Sequence, residues 1–177
     1  MTLGVVCQSA MASPESPSLK PFEHVDLNHY AGLWYDIAHY PDRAQEGCQN
    51  SIVRFSLRNN GDIDILNSCR DKQEGTLHHI DGLGRVVDKT TNARLKVSFF
   101  WPFSKEYIII DQGNEYEYSV ICTTDRKQLW IIARSPVMSS DVLEGIIQKI
   151  EKQGFHHEKL IKTERSEVVQ SDGVSIR

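Results

Sequence analysis

Between residues 34 and 134 the chain alternates apolar and polar side chains in short runs, each closed by a turn signal. Residues 51–58 are the clearest case, with Val53, Phe55 and Leu57 on one parity and Arg54, Ser56 and Arg58 on the other. A period of two marks a half-buried β-strand. Asn59-Asn60-Gly61 then reads as a hairpin turn, because Asn and Gly accept the positive φ that tight turns require. An opening run at 34–40 ends on Pro41-Asp42, and further runs follow at 62–68, 82–87, 94–100, 106–111, 117–122 and 128–134. Eight such strands with hairpin-length connections predict an all-β domain, either an up-and-down antiparallel barrel or a sandwich. Closing the sheet removes its unpaired edges, and eight strands enclose a packed core or one small ligand.

The period changes after residue 138. Ser139 or Ser140 can cap a helix, Asp141 falls in its first turn, and Gly154 suits the position after its end. Val142, Ile146, Ile147 and Ile150 form an apolar stripe at helical spacing, which predicts one C-terminal helix packed outside the sheet. Its other face mixes Glu and Lys rather than collecting cations, which disfavours a membrane-surface role.

The ends differ in kind. Ala10-Met11-Ala12 fits the small-x-small pattern of a signal cleavage site but lacks a basic leading region, so a signal remnant and a disordered tail both stay open, the remnant favoured. Acylation of Cys7 would attach the chain peripherally to a membrane through a lipid anchor, although Val5 and Val6 are bulkier than that processing prefers. The expected organisation is 1–21 signal remnant and linker, 22–163 one folded domain, and 164–177 a polar, disordered tail. A length of 177 residues suits one domain with a real core. The net charge of -4 offers no basic face for nucleic acid, and no run of about 20 apolar residues spans a bilayer.

Cys48 and Cys69 flank the predicted hairpin, and antiparallel pairing with one bulge or a flared end brings them within disulfide reach. The pairing and the signal remnant agree on an oxidising compartment; two reduced thiols would argue for the cytosol. Cys122 has no evident His or Asn partner and reads as a small buried hydrophobe rather than a nucleophile. His78-His79 and His156-His157 are adjacent pairs, and in a strand adjacent side chains point to opposite faces, so neither suggests a metal site.

Tyr30-Ala31-Gly32-Leu33-Trp34-Tyr35 carries the Gly-x-Trp-Tyr that opens the first strand of the lipocalins, and the chain resembles that family. Asp111 and Tyr116 fall near its second conserved region, and Leu129 to Pro136 resembles its eighth strand with the closing Arg134. The block Leu95-Lys-Val-Ser-Phe-Phe-Trp-Pro-Phe103 is similar to the bacterial and apolipoprotein D-like subgroup. This resemblance covers about 25–163 and implies an eight-stranded calyx holding an apolar or amphipathic molecule.

On that reading Trp34 plugs one barrel end, Arg134 lies across its indole, and Gly32 permits the close approach of backbone there. If Trp34 points inward, parity carries Asp36, Ala38 and Tyr40 inward as well. The same reasoning lines the calyx with Val53, Phe55, Leu57, Leu95, Val97, Phe99, Trp130 and Ile132. Trp101, with Pro102 and Phe103, becomes an apolar rim or a contact patch. The expected function is non-catalytic carriage of a fatty acid or lysophospholipid, with no metal or cofactor, in the periplasm or outer membrane if the source is bacterial. A lipocalin-fold enzyme and a tetrapyrrole carrier are the alternatives, and homodimerisation stays open.

Overall fold

The computed structural model describes residues 17–165; the expected signal remnant with Cys7 and the tail beyond Arg165 lie outside the described residues. Eight strands succeed one another: β1 (Gly32–His39), β2 (Cys48–Leu57), β3 (Ile63–Asp71), β4 (Leu77–Val86), β5 (Arg94–Phe100), β6 (Phe103–Gln112), β7 (Tyr118–Thr123) and β8 (Leu129–Ala133). Consecutive strands pair antiparallel, and β1 pairs with both β2 and β8, so the sheet closes into an up-and-down barrel. The Asn-Gly hairpin is long, running from Leu57↔Ile63 at the turn to Cys48↔Asp71 at its far end. Near that far end Cys48 and Cys69 form a disulfide with their Cα atoms 5.5 Å apart.

A short helix, α1 (Leu27–Tyr30), precedes β1, and α2 (Ser140–Lys152) follows β8. The Ser139 hydroxyl caps α2 by accepting from Val142 N. Leu143, Ile146 and Ile150 are the buried face of this helix, whereas Val142 is 43% exposed. The docking stripe is therefore centred on Leu143, which shares the side of Ile146 and Ile150 at spacings of three and seven.

Alternation did not anticipate a ninth strand, β9 (Ile161–Lys162), which pairs with β1 at Ala38↔Lys162 and His39↔Ile161. Hydrogen bonding of β1 to β2 covers only residues 32–35. Past that point the two strands part, and residues 161–165 take the space along β1. Thr163 N donates to Ile37 O at 3.0 Å, and Asn50 N donates to Glu164 O at 2.9 Å. Lys72 and Glu164 pair at 2.9 Å. Such contacts reach Arg165, two residues past the boundary drawn from polarity alone. At the other end of the described chain, Arg126 donates to Pro17 O and Lys20 N donates to Gln153 Oε1, so residues 17–20 lie against α2 and the β7–β8 turn.

Two apolar clusters result. One lies beneath α2 and includes Ile108, Val120, Cys122, Ile131, Leu143, Ile146 and Ile150. The other lies inside the barrel and includes Trp34, Val53, Phe55, Leu95, Val97, Ile109 and Ile132. Strand β1 serves both. Its register against β8 shifts between Asp36 and Ala38, and one inserted residue reverses the side-chain parity beyond it.

Candidate functional site

One end of the barrel is closed by the N-terminal segment crossing beneath it. Val25 N donates to Thr91 O, Asn92 Nδ2 donates to Val25 O, and Phe22 N donates to Ile109 O. Trp34 and Val25 are fully buried there, and Tyr30 is 2% exposed. Trp34 Nε1 donates to Tyr30 O at 2.8 Å, so the indole meets its one polar obligation locally. Tyr30 packs its ring 4.9 Å from Trp34 and 5.2 Å from Phe55, and shares a hydrogen bond with Ser119 Oγ.

Arg134, at the end of β8, binds this floor together. Its Cζ lies 3.8 Å from the Trp34 ring centroid, a cation–π contact of about 1–2 kcal/mol when desolvated. Nη1 donates to Leu33 O, and Nη2 donates to the carbonyls of His29, Tyr30 and Ala31, oxygens that end α1 and enter β1. Gly32 has φ +106° and would bring a Cβ to 3.2 Å from Arg134 Nη1, so both its conformation and its lack of a side chain are used.

Above the floor the interior is aliphatic and aromatic. Val53, Phe55, Leu95, Val97 and Ile132 are buried in the interior cluster, with Phe99 and Trp130 packed against it. Ala38 and Tyr40, expected beside them, belong instead to the cluster beneath α2, because the shift between Asp36 and Ala38 turns them outward. Leu57 keeps the parity of Phe55 but lies at the outer end of β2, 37% exposed at the closed end of the barrel. Trp101 occupies the β5–β6 turn at the open end, 91% exposed, between Phe100 and Phe103, which are also exposed. It is part of a solvent-facing aromatic tip, not of the interior wall.

The upper half of the interior is more polar than the apolar lining expected from parity. Asp36 keeps the inward parity of Trp34, and beyond the bulge His39 joins it: His39 Nδ1 lies 2.8 Å from Asp36 Oδ2, and both residues are buried. Gln45, from a 3-10 turn in the β1–β2 connection, donates to Asp36 Oδ2 and accepts from Trp130 Nε1. Trp130 stacks on Tyr107 at 5.7 Å, and burial pushes the Tyr107 phenol up to about 12, with Asp42 and Asp125 adding to the shift. A cleft of about 570 Å³ opens beside this cluster, lined by His39, Gln45, Lys72 and residues 161–164 among others. Asp36 was readable as an inward polar residue. Gln45 lies outside any strand and left no periodic signal, and His39 was hidden by the bulge.

Elsewhere the chemistry is sparse. Cys122 is fully buried against α2, its thiol pushed up to about 12 by burial. His78 and His79 are exposed on β4, while His156 and His157 pair with nearby glutamates. Among the described residues, no three His, Cys, Asp or Glu side chains are grouped so as to hold a metal ion. No helix among them is long and apolar enough to cross a membrane.

Comparison with known proteins agrees with this architecture. A family model described as a lipocalin-like domain matches residues 25–165. The outer membrane lipoprotein Blc of Escherichia coli K12 is 31% identical over 153 residues, 86% of each chain. Apolipoprotein D of Bos taurus is 26% identical over 152 residues, 81% of this chain and 78% of that one. Among solved structures, insecticyanin from the tobacco hornworm Manduca sexta superposes with a TM-score of 0.70 at 18% identity, covering 86% of this chain and 87% of the other, a likeness of fold.

Proposed function

The chain belongs to the lipocalin family, and from that premise we propose that it is a non-catalytic carrier holding one fatty acid or lysophospholipid inside the barrel. The observation that carries this reading is the gradient along the interior: a floor sealed by Trp34 and Arg134, aliphatic and aromatic walls above it, and the Asp36–His39–Gln45 cluster toward the open end. An amphipathic chain matches that order, its tail against Phe55, Val97 and Ile132 and its head at the polar end. The Cys122 thiol, raised and buried, is a poor nucleophile, which supports carriage over catalysis.

The site of action is extracytoplasmic, in the periplasm or at the outer membrane if the source is bacterial. The Cys48–Cys69 disulfide supports an oxidising compartment, and the relatives named as outer membrane lipoproteins support an envelope location. In this reading, peripheral attachment comes through acylated Cys7, with the exposed Phe100, Trp101 and Phe103 near the lipid from which cargo is loaded. Native mass spectrometry of protein isolated from a lipid-containing extract tests the reading. A co-purified lipid mass, displaceable by added lipid, is expected; an empty protein, with no displacement of a fluorescent fatty acid by any lipid class, overturns it.

A further inference from the structure

Two buried polar atoms on β1 and β2 lack partners in the upper half of the barrel. Asp36 is 4% exposed, and its Oδ2 is matched twice, by His39 Nδ1 at 2.8 Å and by Gln45 Nε2 at 3.2 Å. Its Oδ1 is buried without a hydrogen bond. Ser51 is 5% exposed and its Oγ is equally unmatched. Each lies one residue past Tyr35↔Ile52, the last pair of the β1–β2 register, Asp36 with the inward parity of Trp34 and Ser51 inside a shift of β2 against β3 between Gln49 and Ile52. Both sit where the two strands begin to part.

No donor among the described residues reaches Asp36 Oδ1. A carboxylate only accepts, so the hydrogen shared at 2.8 Å belongs to His39 Nδ1, which also has Thr163 Oγ1 at 3.3 Å. Trp130 Nε1 is committed to Gln45 Oε1. Arg165 gives Nη2 to the Asp36 carbonyl and lies over the ring of Tyr35, whose parity is opposite to that of Asp36. Its Nη1, also buried without a partner, makes no bond to the carboxylate. The cluster thus holds an acceptor that bears the full cost of desolvation until something brings it a donor.

We infer that Asp36 Oδ1, together with Ser51 Oγ, receives the head group of the carried amphiphile and selects hydroxyl or ammonium heads against carboxylate heads. This inference rests on the carrier reading above and narrows it. Of the two cargoes named there, the lysophospholipid, whose glycerol carries a free hydroxyl, is favoured over the fatty acid, whose head is a carboxylate. A hydroxyl or ammonium head supplies the missing donor as a charge-assisted hydrogen bond. A carboxylate head instead sets a second negative charge beside Asp36 in a site of low dielectric.

Chain-matched hexadecanol, hexadecylamine, monopalmitoylglycerol and palmitate, all below their critical micelle concentrations, compete for the barrel against diphenylhexatriene, a probe with no head group. The wild-type protein is expected to favour the donor heads over palmitate by about tenfold, the scale of one charge-assisted hydrogen bond. Asp36→Asn removes the charge, so palmitate gains and the gap closes to about threefold or less. Ser51→Ala, which deletes only an unmatched hydroxyl, is expected to weaken the donor heads by about threefold and leave palmitate unchanged; it decides the matter should Asp36→Asn fail to fold. Equal affinity for all heads in the wild type, or a preference untouched by both variants, overturns the subsite while leaving the carrier intact. Failure of every chain to displace the probe overturns the carrier itself, and the subsite with it.

Discussion

Cys122 lies between the sheet and α2 with no exposure, and burial raises its thiol from an ordinary 9.0 to about 12. The proton is thus held in the folded state over a range where the unfolded chain has released it. Stability from this group is complete below about pH 9 and is lost as the pH climbs toward 12. The buried Tyr107 phenol, also raised to about 12, acts in the same direction but starts an interval higher, near 10. Tyr118, raised by burial, and Lys149, raised first by its hydrogen bond to Tyr118 and then by Asp111, join in that higher range. Between pH 9 and 10 the decline should therefore belong mainly to one thiol, with a limiting slope of about 1.4 kcal/mol per pH unit. Urea titrations of Cys122→Ala at stepped pH should start from a lower plateau, because of the cavity, yet run nearly flat across that interval. An unaltered slope would reassign the titration to another group.

Where β4 meets β5, a glycine and an aromatic ring share one space. A Cβ at Gly82 would lie 2.6 Å from Phe99 Cε1 and 2.7 Å from Cδ1, so the ring lies in the room the missing side chain leaves. Gly82→Ala should cost about 1–3 kcal/mol by overpacking. Combined with Phe99→Leu it should cost less than the two changes summed, since the smaller side chain relieves the clash. Strict additivity in chemical denaturation would show that the ring moves away freely. Elements also mark how far the sequence can be read. Strands β2 and β3 were plain because alternation runs through Val53, Phe55, Ile63 and Ile65, and the one shift in their pairing, between Gln49 and Ile52, falls before that run. On β1 the same rule fails past Asp36, because an inserted residue has no compositional mark and Ala38 and Tyr40 are as acceptable under a helix as inside a barrel. Two-residue β9 is too short for a period, and its position follows from where β1 and β2 separate, a tertiary fact. The floor was legible because a buried Trp and an Arg at opposite ends of the barrel sequence each have few satisfactory environments. The Asp36 cluster was legible only in Asp36 itself.

At the scale of the molecule, closure depends on partners distant in sequence. The lower seam is direct pairing between β1 and β2, but the upper seam is filled by residues 161–165, held through Ile37 O, Asn50 N and Lys72. Thr163→Pro removes the hydrogen bond to Ile37 O and should lower global stability by about 1–3 kcal/mol. It should also speed hydrogen exchange at the Asn50 amide by about tenfold while leaving the strand pairs at the floor protected. Unchanged exchange at Asn50 would mean that β2 holds its upper end without this segment. The seam also has a consequence for the order in which the molecule is made. The chain emerges N-terminus first, so β1 through β8 and then α2 appear before the segment that lies along β1 at the open end. The floor can form on the emerging chain, but the upper rim cannot be finished until Arg165 has emerged. For the interval between, the nascent barrel is a cup with a slit in its side, and whatever it encloses can enter laterally as well as from above.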